Sequence, residues 1–93
     1  MADNAILSSL KIDLGISSDA YDSRLTEYIN AAKKAISEQG VTIDESDIED
    51  MQLIIMYAAW TWRKRDSGEG MPRMLRYALN CRVLAEKARE SDA

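Results

Sequence analysis

Histidine is absent from this sequence, and cysteine and proline occur once each. Without histidine the chain lacks the commonest general base and the commonest metal ligand, and one cysteine cannot build the usual zinc clusters. Cys81 has no partner for an internal disulfide, which favours a reducing compartment. We therefore predict no catalytic residues, no metal site and no cofactor.

Other familiar site signatures are also missing. The acidic stretch 44–50 lacks the alternation and the central glycine of an EF-hand loop, and no GK[ST] sequence follows Gly68 and Gly70. Cys81 lies among apolar residues of a predicted helix, so we expect it to be a small buried side chain. The N-terminus has no signal-peptide pattern. These features argue against an enzyme.

The longest apolar run, residues 51–62, is interrupted only by Gln52 and Thr61. A helix that is apolar on nearly all sides is typical of a buried element, and this run is too short to span a membrane. Acidic residues precede it and basic residues follow it, which matches the helix dipole. We predict a central helix whose core residues include Leu53, Tyr57 and Trp60.

Two helices are predicted before this run. Asn4 is a plausible N-cap for a short first helix, and Gly15 is suited to end it. Apolar residues at three- and four-residue spacing then predict a second helix from about residue 20 to residue 39, and Gly40 ends it.

The remaining helix ends are marked by capping and turn residues. Ser46 and Glu49 have the spacing of a capping box, so the third helix is predicted over about 45–65. Pro72 is suited to the first turn of a fourth helix, which is predicted over about 73–89. The chain of 93 residues is therefore predicted to be one all-α domain, residues 1–93, of four helices. We expect residues 1–3 and 90–93 to be flexible.

The predicted fourth helix has two apolar stripes. The first consists of Met74, Tyr77, Ala78, Cys81, Ala85 and Ala88. The second consists of Leu75, Leu79 and Val83. A small monomer needs only one such stripe, so we expect the other to contact a neighbouring subunit. We choose Leu75, Leu79 and Val83 as the candidate subunit interface. The alternative is a helix wedged between two neighbours of the same subunit.

Charge is distributed unevenly along the chain. Residues 1–50 contain eleven acidic and four basic side chains, whereas residues 51–93 contain five acidic and eight basic ones. Opposite charges in two halves can orient subunits in an assembly, although matching of helix dipoles explains part of the pattern. The basic residues around the predicted turn are candidate partner contacts, and we call them the basic cluster: Arg63, Lys64, Arg65, Arg73 and Arg76.

Two segments around this turn carry a resemblance to a known family. They are residues 56–66, MYAAWTWRKRD, and residues 71–80, MPRMLRYALN. With the preceding helices, they resemble the tailed-bacteriophage head–tail connector proteins, also called head-completion or DNA-packaging adaptor proteins. The resemblance extends over nearly the whole chain, and its specific part is residues 57–80.

The resemblance implies a structural protein of the virion, located at the head–tail junction after assembly in the host cytoplasm and encoded by a phage or a prophage. It implies a homo-oligomeric ring of about a dozen subunits, closed by heterologous contacts. The implied partners are the portal protein and a tail-side completion protein. We choose the basic cluster as the candidate for contacts with the portal or with a neighbouring subunit. DNA would pass through the channel only as cargo, and no membrane is involved. The alternative is a small helical DNA-binding or regulatory module, which the acidic isoelectric point of about 4.7 disfavours. A bacterial helical adaptor is a third alternative.

Overall fold

Four α-helices form the computed structural model, which describes residues 2–91 of the chain. They are α1, Ala2–Leu14; α2, Asp22–Glu38; α3, Ile48–Ser67; and α4, Arg73–Ser91. A short 3-10 helix, Asp19–Tyr21, precedes α2. No strand occurs in residues 2–91, so the all-α prediction is confirmed.

The predicted first and last residues of the helices need small corrections. Helix α1 already includes Ala2, so Asn4 lies inside the helix and is not its N-cap. Helix α4 continues to Ser91, and both helices therefore enter segments that were predicted to be flexible. Met1 and residues 92–93, the rest of those segments, lie outside the described residues. Pro72 stands just before α4, where its carbonyl accepts a 3.0 Å hydrogen bond from the Arg76 amide.

Helix α3 begins later than predicted because a different side chain caps it. The Asp47 carboxylate accepts a 2.9 Å hydrogen bond from the Glu49 amide, which satisfies one of the free donors of the first turn. Ser46 instead donates its amide to Asp44 over 3.0 Å, so the predicted capping box is wrong. At the other end Gly68 adopts a φ of 66°, a left-handed conformation that suits glycine and ends the helix.

Helix α3 is the centre of the fold, as the apolar run predicts. Helices α1, α2 and α4 all pack on it, and α1 and α2 also pack on each other. Leu53, Ile54 and Ala58 are buried along α3, so the prediction of Leu53 as a core residue is confirmed. The rest of the hydrophobic core comes from the other helices and one loop: Ile6, Leu10, Leu25, Ile29, Ala32, Ile36, Val41, Leu75 and Leu79, together with Ile55 and Ala59 of α3.

The other two predicted core residues lie at the edge of that core. Tyr57 and Trp60 are only partly buried, and their rings meet edge to face with centroids 5.5 Å apart. The Trp60 indole donates its Nε1–H to the Glu69 carbonyl over 3.3 Å, which joins α3 to the turn before α4. The hydrogen bond is made at the surface, where the chain reverses, so it keeps the Trp60 ring near solvent. Tyr57 lies there too because its ring packs on Trp60.

Candidate assembly surfaces

The stripe of α4 that we predicted as an interface is buried, and the other stripe is exposed. Leu75 and Leu79 are only 1% and 8% exposed, and Val83 is half-buried against the same core. The expectation that this stripe is free for a neighbouring subunit is therefore wrong. These side chains face α3, and they supply the inward packing that holds α4 on the fold.

The first stripe is instead the exposed one. Its large members Met74 and Tyr77 are 71% and 68% exposed, and Leu84, on the same side of α4, is 65% exposed. Cys81 is also exposed, so its predicted burial is wrong. Contiguous apolar side chains in water are typical of a binding surface. We call this surface the outer α4 face: Met74, Tyr77, Ala78, Cys81, Leu84 and Ala85.

A groove lies beside this face, between α3 and α4. Its volume is about 350 Å³, and its lining is mostly apolar. Ile48 and Met56 contribute from α3, and Ala78, Cys81 and Ala85 contribute from α4. The three small α4 side chains leave room for an apolar side chain of another element to approach the helix closely.

An ion pair fixes the rotation of α4 on α3. The Arg82 guanidinium lies 2.6 Å from the Asp50 carboxylate and 2.9 Å from the Glu86 carboxylate. Arg82 also donates a 2.9 Å hydrogen bond to the Thr42 carbonyl in the loop before α3. Asp50 also accepts a 2.9 Å hydrogen bond from the Asp44 amide. We call this group of contacts the Arg82 cluster.

The Arg82 cluster shifts the ionisation of its members. Hydrogen bonding to Asp50 raises the pKa of the Arg82 guanidinium above its ordinary value. The hydrogen bond from Arg82 lowers the pKa of Glu86, and an interaction with the Thr42 backbone adds to that effect. Both shifts favour the charged forms of Arg82 and Glu86. Our sequence analysis did not select these residues, although Arg82 and Glu86 stand four positions apart on the Leu75 side of α4.

The basic cluster lies on both sides of the turn between α3 and α4, with three members near the end of α3 and two in the first turn of α4. All five are exposed, and no acidic side chain that the structure describes lies within salt-bridge distance of them. Two are partly engaged: Lys64 Nζ lies 4.3 Å from the centre of the Trp60 ring, and Arg65 Cζ lies 4.0 Å from that of Trp62. Such cation–π contacts orient the side chains but leave their charge available to a partner.

The acidic residues before α3 have local partners. Glu45 forms a 2.9 Å ion pair with Lys33 of α2, and Asp47 caps α3. Asp44 accepts hydrogen bonds from Ser46, which lower the pKa of its carboxyl. Most of this stretch is therefore occupied in organising the start of α3.

A second surface with exposed carboxylates lies on α1, the 3-10 helix and the loop between them. We call it the N-terminal edge: Ile12, Asp13, Asp19 and Tyr21. All four are exposed, and Ile12 and Tyr21 are large apolar side chains. Lys11 lies beside them, and its ammonium is 2.9 Å from Asp19 and 2.9 Å from Asp22. Arg24 and Arg65 line the surface next to Tyr21, so this edge carries charges of both signs. Hydrogen bonds to Asp19 and Asp22 raise the pKa of Lys11.

Two kinds of site find no support in residues 2–91. No group of three or more carboxylates and thiols there is arranged to hold a metal ion. None of the helices described combines the length and apolarity needed to cross a membrane.

A family comparison agrees with this architecture. The family model of the phage gp6-like head-tail connector proteins matches residues 4–82, which include most of α1, all of α2 and α3, and the N-terminal half of α4. Searches of curated proteins and of solved structures give no match. Proteins of this family are structural components of the virion head–tail junction. Because the match covers most of the chain, the protein belongs to the phage gp6-like head–tail connector family.

Proposed function

We propose that copies of this protein form a ring beneath the portal vertex of the filled phage head. The ring would extend the DNA channel, help to retain the packaged genome and offer a docking surface to the tail-side completion protein. The observation that carries the proposal is the family match over residues 4–82. A subunit number of about a dozen comes from the resemblance, and it fits closed cyclic symmetry.

The surfaces of the subunit support a ring. A ring needs a heterologous contact, in which two different surfaces of each subunit meet. This subunit has two different surfaces of this kind, the outer α4 face and the N-terminal edge on α1 and the 3-10 helix. Both contain large exposed apolar side chains, which association would remove from water.

We propose the basic cluster as the contact with the portal protein or with the neighbouring subunit. Its members lie near the end of α3 and at the start of α4, close along the chain to the turn that joins the two helices. None of these cations forms an ion pair with an acidic side chain that the structure describes. A carboxylate of another protein could therefore pair with them without first breaking an existing ion pair. DNA would pass this surface only as cargo.

The test is native mass spectrometry of the protein alone and mixed with purified portal protein. We expect the portal oligomer to gain a fixed number of about a dozen copies of this chain, even if the free protein is a monomer. A portal that gains no copies would contradict the proposal. In a parallel titration, tight and steeply salt-dependent binding to duplex DNA would instead favour the DNA-binding alternative.

A further inference from the structure

We infer that a cleft between the start of α2 and the end of α3 binds one nucleotide unit of single-stranded DNA, with its phosphate at Arg24 and Arg65 and its base against Tyr21. The inference deepens the proposed retention of the packaged genome, and it rests on that function for the source of the DNA. Of these three residues only Arg65 belongs to the basic cluster.

The cleft is open and mostly polar, with a volume of about 560 Å³. Its walls come from the 3-10 helix, the first turns of α2 and the end of α3. We call it the arginine cleft, and its polar and aromatic lining consists of Tyr21, Ser23, Arg24, Glu27, Trp62 and Arg65. Clefts of this size hold small organic ligands. A lone carboxylate would leave most of the volume to water, whereas a phosphate joined to a sugar and a base fills much more of it.

An aromatic ring orients the Arg65 guanidinium before any ligand binds. Arg65 Cζ lies 4.0 Å from the centre of the Trp62 ring. Tyr21 and Tyr28 meet that ring edge to face, with centroids 5.5 and 5.9 Å away, so the ring is itself held in place. A guanidinium over a ring keeps most of its N–H donors free for an anion. Arg65 therefore offers a partly ordered fork of donors, which lowers the entropic cost of binding.

Arg24 supplies a second cation from α2. Its side chain is 64% exposed, and the 3.7 Å between its Nε and the Glu27 carboxylate is longer than a hydrogen bond. Such an exposed pair contributes little, so Arg24 is free to turn to a bound anion. A phosphate presents oxygens in several directions and can accept from two guanidinium groups, whereas one guanidinium fork already matches a planar carboxylate. Two arginines in one cleft therefore favour a phosphate.

The acidic side chains around the arginine cleft leave its cations in excess. Glu27 is the one acid among the lining residues, against two arginines. Asp19 and Asp22 flank this part of the chain, but the Lys11 ammonium lies 2.9 Å from each of them. The chain as a whole carries a net charge of −4, which opposes long-range attraction of DNA. These charges predict weak binding of a single nucleotide unit rather than the wrapping of a long strand.

Tyr21 provides a surface for the base. Its side chain is 49% exposed at the cleft. Proteins that bind single strands stack bases on aromatic rings beside cations that hold the backbone. In duplex DNA each base is paired and stacked within the helix and cannot reach such a ring. The arginine cleft therefore favours unpaired DNA, such as an unpaired end of the packaged genome.

Tryptophan fluorescence gives a direct test. Because the chain has two tryptophans, Trp60→Phe leaves Trp62 as the only indole. We would titrate this variant with a short oligothymidylate and expect saturable quenching, since Trp62 contacts both Arg65 and Tyr21. A blunt duplex that contains the same strand should bind at least about tenfold more weakly. The logarithm of the affinity should fall with the logarithm of salt concentration with a slope of about −0.7 to −1.4, the value for one or two phosphates.

Substitutions on this background locate the site. Arg24→Ala and Arg65→Ala should each weaken binding about tenfold, because each removes a charge-assisted hydrogen bond. Tyr21→Leu should weaken it at least about fivefold, whereas Tyr21→Phe keeps the ring and should bind as the parent does. Lys34→Ala removes an exposed cation elsewhere on α2 and is the matched control, with no change expected. Circular dichroism shows whether each variant keeps its helix content.

Glu27→Gln should change the affinity in the opposite direction, which a folding defect cannot imitate. The substitution removes the one carboxylate of the cleft and frees Arg24 from its loose ion pair. The oligothymidylate should therefore bind about two- to fivefold more tightly. Unchanged or weaker binding would contradict a phosphate at Arg24.

Competition identifies the ligand. We expect thymidine monophosphate to displace the oligothymidylate, and the strand to bind at least as tightly as the monophosphate. Binding of the monophosphate with exclusion of the strand would show a site for free nucleotides only and would overturn the inference. A short polyglutamate peptide that displaces the strand at lower concentration would show a site for a protein carboxylate, with the same consequence. Quenching that persists in all three weakened variants would place the DNA elsewhere and also overturn it.

The proposed ring is tested separately. Arg24 lies outside the basic cluster, so Arg24→Ala should load onto the portal in the same copy number as the wild type while its nucleotide affinity falls. Rings on the portal without any binding of the oligothymidylate would overturn this inference and leave the proposed ring intact. A portal that gains no copies, with nucleotide binding as expected, would contradict the ring and leave the arginine cleft as a nucleotide site.

Discussion

The Arg82 guanidinium lies 2.6 Å from the Asp50 carboxylate, so a side chain in the middle of α4 is bonded to the first turn of α3. The Asp50 side chain is 2% exposed and that of Arg82 is 13% exposed. Removing one member of such a pair leaves the other charge buried without its partner. The stability of α4 on the fold therefore depends on this contact.

Arg82→Ala should lower the free energy of unfolding by roughly 3 kcal/mol, because the Asp50 charge stays buried without its partner. The measurement is urea unfolding followed by circular dichroism. Arg76→Ala is the matched control on the same helix, and an exposed arginine should change stability by less than about 0.5 kcal/mol. Equal effects of the two substitutions would show that the Arg82 cluster contributes no specific stability.

Acid should destabilise the protein through Glu86. Its pKa is lowered from the ordinary 4.5 in the folded state. A carboxyl with a depressed folded pKa contributes stability that is complete above the unfolded value and is lost as pH falls through the folded value. The melting temperature should therefore fall as pH decreases from about 5 to about 3. Glu86→Gln should be less stable at neutral pH and should lose less on acidification; an identical pH profile would contradict this role.

Leu79→Asp and Leu84→Asp should have opposite consequences, although both place a charge on α4. Leu79 is 8% exposed and belongs to the core, so its replacement should cost at least about 3 kcal/mol and unfold much of the domain. Leu84 is 65% exposed, and its replacement should leave the melting temperature nearly unchanged while reducing ring formation on the portal. A folded Leu79→Asp variant, or an assembly-competent Leu84→Asp variant, would contradict this assignment of the two stripes.

For each side-chain atom removed, Trp60→Ala should lower the free energy of unfolding less than Leu53→Ala does. Trp60 is partly exposed and lies at the edge of the core, so we expect a loss of about 2 kcal/mol, below the usual cost for a fully buried tryptophan. Trp60→Phe keeps a ring against Tyr57 but removes the hydrogen bond to the Glu69 carbonyl, and should cost about 1 kcal/mol. Chemical denaturation of the three variants provides the measurement.

Charge reversal in the basic cluster should separate assembly from folding. Arg73→Glu with Arg76→Glu should keep the helix content, because both side chains are exposed, and should abolish portal binding or ring formation. Lys34→Glu, an exposed reversal on α2 that changes the net charge by half as much, is the control for a charge reversal outside the cluster. If the double variant still binds portal and assembles as the wild type does, the cluster is only a solvated surface.

The sequence was sufficient to predict the number and order of the helices. The apolar run of residues 51–62 predicts a helix buried on most sides, and three other helices do pack around α3. Glycines in left-handed conformations, such as Gly68, mark helix ends that local chemistry alone determines. Capping was less predictable, because Ser46 and Asp47 are both good N-cap residues and only the folded loop decides which one is used.

The orientation of α4 depended on tertiary structure. Its two stripes are both apolar, so helical periodicity predicts that one faces inward without indicating which. The decision rests on Arg82 and Glu86, which share the buried side with Leu75 and Leu79, and on Asp50, which is 32 positions from Arg82 along the chain. A buried arginine is tolerated only where a carboxylate meets it, and that meeting exists only after α3 and α4 have packed. The sequence by itself therefore determined the helices and the central place of α3, whereas the packed structure decided which face of α4 remains exposed for a partner.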